Sequence, residues 1–201
     1  MKRLTMCRLS GICNRSLQAI DRSLHNTGLL LLFKRDPNRV KEKLNIEINR
    51  ARREDAKIVS SILYDAFISF KPLYTLKAFN ATAISAEKVL ERINQGPVLL
   101  ATINGEVAGT VSMMAKQEGY YIRGMAVLPN ARGNRIGWKL LQYIEAEALT
   151  NDLDRMYLYT TPFLLPAINL YHHYGFKRAG NRLDDFFGTN VFCMEKFIQA
   201  K

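Results

Sequence analysis

No apolar run in this 201-residue chain exceeds that of Gly28–Phe33, GLLLLF, far short of the roughly 20 residues that cross a bilayer as a helix. No transmembrane helix is expected. Cysteine is scarce as well: Cys7, Cys13 and Cys193 are the only three, and none forms a CxxC pair. Neither a disulfide framework nor a zinc site is expected, no metal is called for, and a reducing compartment, the cytoplasm, is favoured. Two familiar phosphate loops are missing too, since neither GxxxxGK(S/T) nor GxGxxG occurs anywhere. Acids are few, 18 against 29 Lys and Arg, for a net charge of +11. That surplus is uneven: residues 1–45 carry 10 Lys/Arg and 3 Asp/Glu, a net +7, whereas residues 46–201 carry 19 and 15, a net +4. The larger part is only mildly basic, so nucleic acid is not the expected partner despite a pI near 9.7.

What is present divides the chain in two. Residues 1–45 are rich in Arg, Ser, Leu and Asn, with no sustained helical period. They read as a basic N-terminal extension, disordered or weakly ordered. Four readings stand for it: a basic tail, an organelle-targeting presequence, a short docking helix, or an over-long start of translation. The presequence reading would move the protein to an organelle. From Ile46 the pattern sharpens into a single domain, residues 46–201, in a chain whose 48% hydrophobic content can bury a sizeable core. IEINRA alternates as a strand, and Ala56, Val59, Leu63, Ala66 and Phe67 share one helical face. After a polar stretch, Ser85 opens a helix with Val89, Leu90 and Ile93 inward, and Gly96 closes it. Two β-runs then meet at Asn104-Gly105, a strong hairpin signal, and YYIRGMAV continues as a strand to Pro129. A helix carrying Leu140, Leu141, Ile144 and Ala148 follows, then the strand RMYLYTT, a short helix closed by Gly175, and the strand NVFCMEKF. The order β-α-α-β-β-β-α-β-α-β describes a mixed α/β fold, and the hairpin argues against a purely parallel sheet.

Arg132–Leu141, RGNRIGWKLL, holds two glycines and two arginines where a helix begins. Backbone N–H groups at a first helical turn lack intrahelical partners, so a strand, a glycine turn and a helix start together make an anion site. The stretch MAVLPNARGNRIG resembles the central motif of the GNAT superfamily of acyl-CoA-dependent N-acyltransferases: Arg or Gln, any two, Gly, any one, then Gly or Ala. Met125, Val127 and Pro129 precede the turn, Arg132 is first and Gly137 last. AINLYHHYGF, further on, is similar to the family's helix and strand that carry Tyr before Gly-Phe. Together the two motifs make the resemblance span most of residues 46–201. It departs at two places: Arg135 stands where the family usually has its middle glycine, and Leu164 where it often has Asn. If the Arg135 position requires a positive φ, the substitution costs about 1–2 kcal/mol.

The resemblance implies an α/β (α+β) fold: a mixed, mostly antiparallel, twisted sheet, splayed between its fourth and fifth strands and flanked by about four helices. It implies acetyl-CoA as acyl donor, pantetheine along the backbone of Met125, Ala126 and Val127, and pyrophosphate on the N–H groups of Arg132, Gly133, Asn134, Arg135, Ile136, Gly137 and Trp138. Gly124 would mark the bulge the splay requires. Tyr171 matches the family tyrosine that protonates the CoA sulfur; its plainer role is a packed ring bonding backbone. The oxyanion donor would be a strand N–H, that of Val127. The strand Tyr120–Val127 holds no carboxylate, although relatives often place a glutamate there, which leaves Glu118 as the nearest acid for the base. His172 and His173 read as surface or packing residues, Asp65 as an amine contact or a solvated acid, Met113 and Met114 as core, and Arg182, Asp184 and Asp185 as a loop whose acids would suit a cationic substrate. The expected activity is N-acetylation of a primary amine, on a small molecule or peptide, by direct attack on the thioester. A non-catalytic acyl-CoA-binding regulatory module is the alternative, and a homodimer is compatible with either.

Overall fold

The computed structural model describes residues 44–180 and 183–198. The expectations for residues 1–43, and for Arg182, lie outside the described residues. Thirteen elements follow in order: β1 (Ile46–Arg50), α1 (Ala56–Phe67), α2 (Leu76–Thr82), α3 (Ala86–Gln95), β2 (Val98–Ile103), β3 (Glu106–Lys116), β4 (Gly119–Val127), α4 (Ile136–Thr150), β5 (Arg155–Thr160), α5 (Leu165–Tyr174), β6 (Lys177–Arg178), β7 (Asp184–Phe186) and β8 (Thr189–Phe197). The sheet runs β1-β2-β3-β4-β5-β8-β6, with β7 on β8. Every pairing is antiparallel except β4 with β5. The fold is the mixed, mostly antiparallel α/β sheet the motifs imply.

Local chemistry accounts for most boundaries. Asn104 and Gly105 both adopt positive φ, +51° and +85°, which a two-residue turn matching the twist of its strands requires. Gly96 caps α3, and Gly175, at φ +99°, caps α5. The helical faces read from the sequence pack as expected: Ala56, Val59, Leu63, Ala66 and Val89 form one core with Ala126, while Leu140, Leu141, Ile144 and Ala148 join the other with Tyr120, Ile122 and Tyr171.

The structure adds one helix to this reading and turns one loop into a strand. Beside the helices read from the sequence, the stretch read as polar folds into a 3₁₀ turn over Ile68–Leu73 and then α2, giving five α-helices among the described residues. Thr75 accepts from Ala78 N at 3.2 Å as the N-cap of α2, and Phe79 packs edge-on against Tyr64 and Tyr74. Aromatic packing across the chain, rather than period along it, makes this segment helical. The Asp184–Asp185 loop becomes strand β7, paired with β8 through Asp184↔Val191.

The splay has a visible cause. β4 and β5 pair only at Tyr120↔Met156, Tyr121↔Tyr157 and Ile122↔Leu158, although β4 runs on to Val127. The β3–β4 register then slips between Thr110↔Ala126 and Ser112↔Arg123. The extra residue lies around Gly124, which adopts φ +59°, as a β-bulge requires. Its effect is one of parity. Upstream, Tyr120 and Ile122 face the α4 core; downstream, Met125 and Val127 face it, and Ala126 faces α1 and α3. An unbroken alternation would have sent Met125 to the other side.

Candidate active site

The splay opens a cavity of about 1270 Å³ between β4 and β5. Of the residues expected to bind the donor, Met125, Ala126, Val127, Arg132, Gly133, Arg135, Ile136, Gly137 and Trp138 all line it, together with Tyr171. Asn134 does not; its side chain donates to Ala131 O at 3.1 Å and closes the turn.

The turn before α4 separates the roles of its residues. Gly133 adopts φ +84° with nothing within 4 Å of an added Cβ, so conformation alone calls for glycine there. Gly137 is ordinary helix, but an added Cβ would stand 2.6 Å from Leu170 Cδ2 and 3.1 Å from Met125 Cε. Glycine at 137 lets α4 approach α5 and β4 closely. Arg135, the N-cap of α4, sits at φ +60°, ψ +19°, so this departure from the family glycine carries the left-handed strain. No side chain caps α4 and no acid occupies its first turn, which leaves its first N–H groups and its positive dipole end to the cavity. Arg132 plays a different part from the one its charge suggests. Its Nε donates to Val127 O at 3.4 Å and its Nη2 to Ala66 O at 3.3 Å, tying the turn to the ends of β4 and α1.

Tyr171 reaches the gap from α5. It is 7% exposed, and its hydroxyl makes a 3.8 Å contact with Met125 Sδ. Burial, and secondarily the nearby Tyr74 phenol, pushes its pKa well above the ordinary tyrosine value. The phenol therefore stays protonated and able to donate. Leu164, at the head of α5, lines the cavity with a side chain that caps nothing.

Glu118 is a correction. It lies exposed in the turn joining β3 to β4 and does not line the cavity; its carbonyl accepts from Arg155 Nη1 at 2.9 Å. A base there would have to work from outside the cleft. Asp65 is exposed and accepts from Ser61 Oγ at 3.4 Å, while His172 and His173 are exposed on α5, in keeping with surface roles. Met113 is buried core. Trp138 packs edge-on against Tyr174, 4.8 Å between ring centres. The acids the cavity does receive are Asp184 and Asp185 of β7.

Sequence reasoning missed Phe70 and Tyr74, contributed by the segment misread as polar, and the cations Arg92 and Arg123. The aromatic run FISFKPLY was a usable signal for the first pair. For the arginines there was none, because they meet only once α3 has packed on α1 and the sheet.

Comparison with known proteins is decisive at the family level. The model of the acetyltransferase (GNAT) family matches residues 60–176, more than half of the chain. The chain belongs to the GNAT acetyltransferase family. A relative in Azospirillum brasilense, named IAA acetyltransferase, is 37% identical over 84 residues, 41% of this chain and 55% of that protein. The chain thus spans about half the length of the curated relative it matches. Among solved structures, PaiA N-acetyltransferase from Thermoplasma acidophilum in complex with coenzyme A shares this GNAT fold at a TM-score of 0.64 and 20% identity, covering 76% of this chain and 99% of that one. YncA, a putative acetyltransferase from Salmonella typhimurium with acetyl-CoA, aligns at 0.62 and 21% identity, covering 78% and 96%. Among the described residues no helix is long and apolar enough to cross a membrane, and no cluster of His, Cys, Asp and Glu could hold a metal.

Proposed function

We propose that the protein is an acetyl-CoA-dependent N-acetyltransferase that acetylates a primary amine by direct attack on the thioester, working in the cytoplasm. One observation carries the reading. An uncapped helix N-terminus, the stretch of β4 left unpaired by β5, and the protonated phenol of Tyr171 meet in a single cavity.

Each part has a chemical task. Backbone N–H groups from Gly133 to Trp138 would receive the donor's pyrophosphate, with Arg135 adding charge at the mouth. The free edge of β4 from Met125 to Val127 would receive the pantetheine amides as an added strand. Acetyl-CoA supplies an acetyl group already activated as a thioester. Val127 N–H would donate to the oxygen on which negative charge develops. The Tyr171 O–H holds a proton beside Met125 and would deliver it to the departing sulfur, while the proton lost by the amine nitrogen passes to water and from there back to the phenolate, so the transfer balances. No covalent intermediate on the protein is needed.

The test uses the full chain. Acetyl-CoA, but neither ATP nor NAD, is expected to raise the thermal midpoint, and a mixed amine library is expected to consume it. Acetyl-CoA binding with no turnover across the library would instead select the non-catalytic binding module, which the position of Glu118 outside the cleft favours.

A further inference from the structure

The end of the cavity away from the α4 turn holds an uncompensated pair of cations. Arg92, on α3, and Arg123, on β4, both line it. Among the described residues neither makes an ion pair. Arg123 Nη2 donates to Gln95 Oε1 at 2.5 Å, but Arg123 Nε and Arg92 Nη1 are buried with no hydrogen-bond partner. A buried guanidinium nitrogen without an acceptor is costly, and two together repel. The electrostatics agree: burial, then the like charge of Arg123, lowers Arg92 to about 10, and no carboxylate offsets it.

Beyond the Arg123–Gln95 bond, no described acceptor meets the buried nitrogens of this pair. Arg92 Nη1 lies against Gly124, within 2.5 Å of where a Cβ would stand, so the bulge itself makes room for it. Position supplies the rest. Arg123 stands on β4 just before the Gly124 bulge and Met125 just after it, both line the same cavity, and Met125 touches the Tyr171 hydroxyl. An anion at the arginines would therefore share the cavity that holds the Tyr171 hydroxyl. Asp184 and Asp185 of β7 reach the same cavity from the β8 side, and Tyr121 and Tyr159 wall it with rings 6.2 Å apart.

We infer that Arg92 and Arg123 form a carboxylate seat, and that the acetyl acceptor is an amine bearing a carboxylate, an amino acid. This rests on the transferase reading for its chemistry but not for its binding. The carboxylate completes the hydrogen bonding that the fold leaves open. The two guanidinium charges also favour the neutral form of the incoming amine, the form that attacks, which reduces the demand for a dedicated carboxylate base. The step is amide formation: the amine nitrogen bonds the acetyl carbon, the carbon–sulfur bond breaks, and sulfur leaves as thiol.

Two assays on the full chain separate this inference from the reading it rests on. In the first, the proteinogenic amino acids are each compared with their decarboxylated amines, such as tyrosine with tyramine and leucine with isoamylamine, at saturating acetyl-CoA. The amino acid is expected to exceed its amine in kcat/KM by about ten- to a hundredfold. Arg92→Gln and Arg123→Gln should collapse that ratio through KM, with Arg92→Lys retaining part of it, and acetyl-CoA affinity serving as the folding control. Equal or better use of the decarboxylated amines, or a ratio unmoved by the variants, overturns the seat. In the second assay, the CoA-saturated chain meets N-acetylated amino acids and N-acetylated amines without turnover. Binding of the carboxylates alone, lost in both Gln variants, supports the seat; no carboxylate preference overturns it. Failure of turnover with preserved carboxylate binding removes the transferase reading and leaves the seat standing.

Discussion

Arg135 makes a separable prediction, because its backbone and its side chain serve different ends. The residue holds φ +60°, ψ +19° at the head of α4, where a side chain costs about 1–2 kcal/mol that glycine does not. Arg135→Gly removes that strain but gives the unfolded chain more freedom, a penalty of about 0.4–1 kcal/mol. The net expectation is a gain of roughly 0.5–1 kcal/mol, seen as a rise of about 1–4 °C in thermal midpoint for a domain of this size. Arg135→Ala keeps the strain and should not rise. Both variants lose the cation at the mouth of the phosphate turn, so both should bind acetyl-CoA about three- to tenfold more weakly and with a shallower dependence on salt. Thermal unfolding without ligand and titration calorimetry across salt concentrations read the two effects independently. Equal midpoints for the Gly and Ala variants would refute the strain argument. Wild-type affinity in both would remove Arg135 from the phosphate seat.

Tyr171→Phe should retain acetyl-CoA affinity and lose turnover by about 10²–10⁴-fold; equal loss of both, or of neither, sinks the acid role. Burial holds the Tyr171 phenol protonated where the unfolded chain ionises, so the unfolded state binds fewer protons above the ordinary tyrosine pKa of about 10. Stability is therefore full below that pH and falls above it by up to about 1.4 kcal/mol per pH unit for this group. Denaturant melts along an alkaline series should show a gentler fall in Tyr171→Phe, and an unchanged slope counts against the buried phenol. Gly133→Ala, placed in open space at φ +84°, should cost about 1–2 kcal/mol from conformation alone, whereas Gly137→Ala should stay within about 1 kcal/mol, since the Leu170 and Met125 side-chain ends can shift and alanine suits a helix better; chemical denaturation that ranks them the other way would undo the division of roles. Arg92→Met should raise stability by about 1–3 kcal/mol by removing an uncompensated buried charge, and a lower melting temperature would contradict that account.

The proposed donor half of the site was legible in the sequence because its chemistry is local. Arg132 to Gly137 sit consecutively, and the turn they make is fixed by φ preferences and by the start of a helix. Tyr171 was legible through its position before Gly175 and Phe176. The proposed acceptor half was not, because it assembles from residues far apart in the chain. Arg92 and Arg123 belong to a helix and a strand that meet only when α3 packs on the sheet, and Phe70 and Tyr74 come from a segment whose helical structure depends on Phe79 packing across the fold. Arg132 shows the limit from the other side: its place in the motif was readable, but not that its guanidinium is spent on the carbonyls of Val127 and Ala66. Glu118 was named for proximity in sequence to β4, and a hairpin turn carried it outside the cleft.

The extra residue at Gly124 divides β4 into two half-strands with opposite polarity of facing. Tyr121 and Arg123 belong to one half and Met125 and Val127 to the other. On the proposed assignment, substitutions upstream would exchange one acceptor for another while the grip on the donor stays fixed. Deleting Gly124 would join the halves into a plain alternation that leaves Met125 and Val127 on the α4 side and removes the kink rather than the facing.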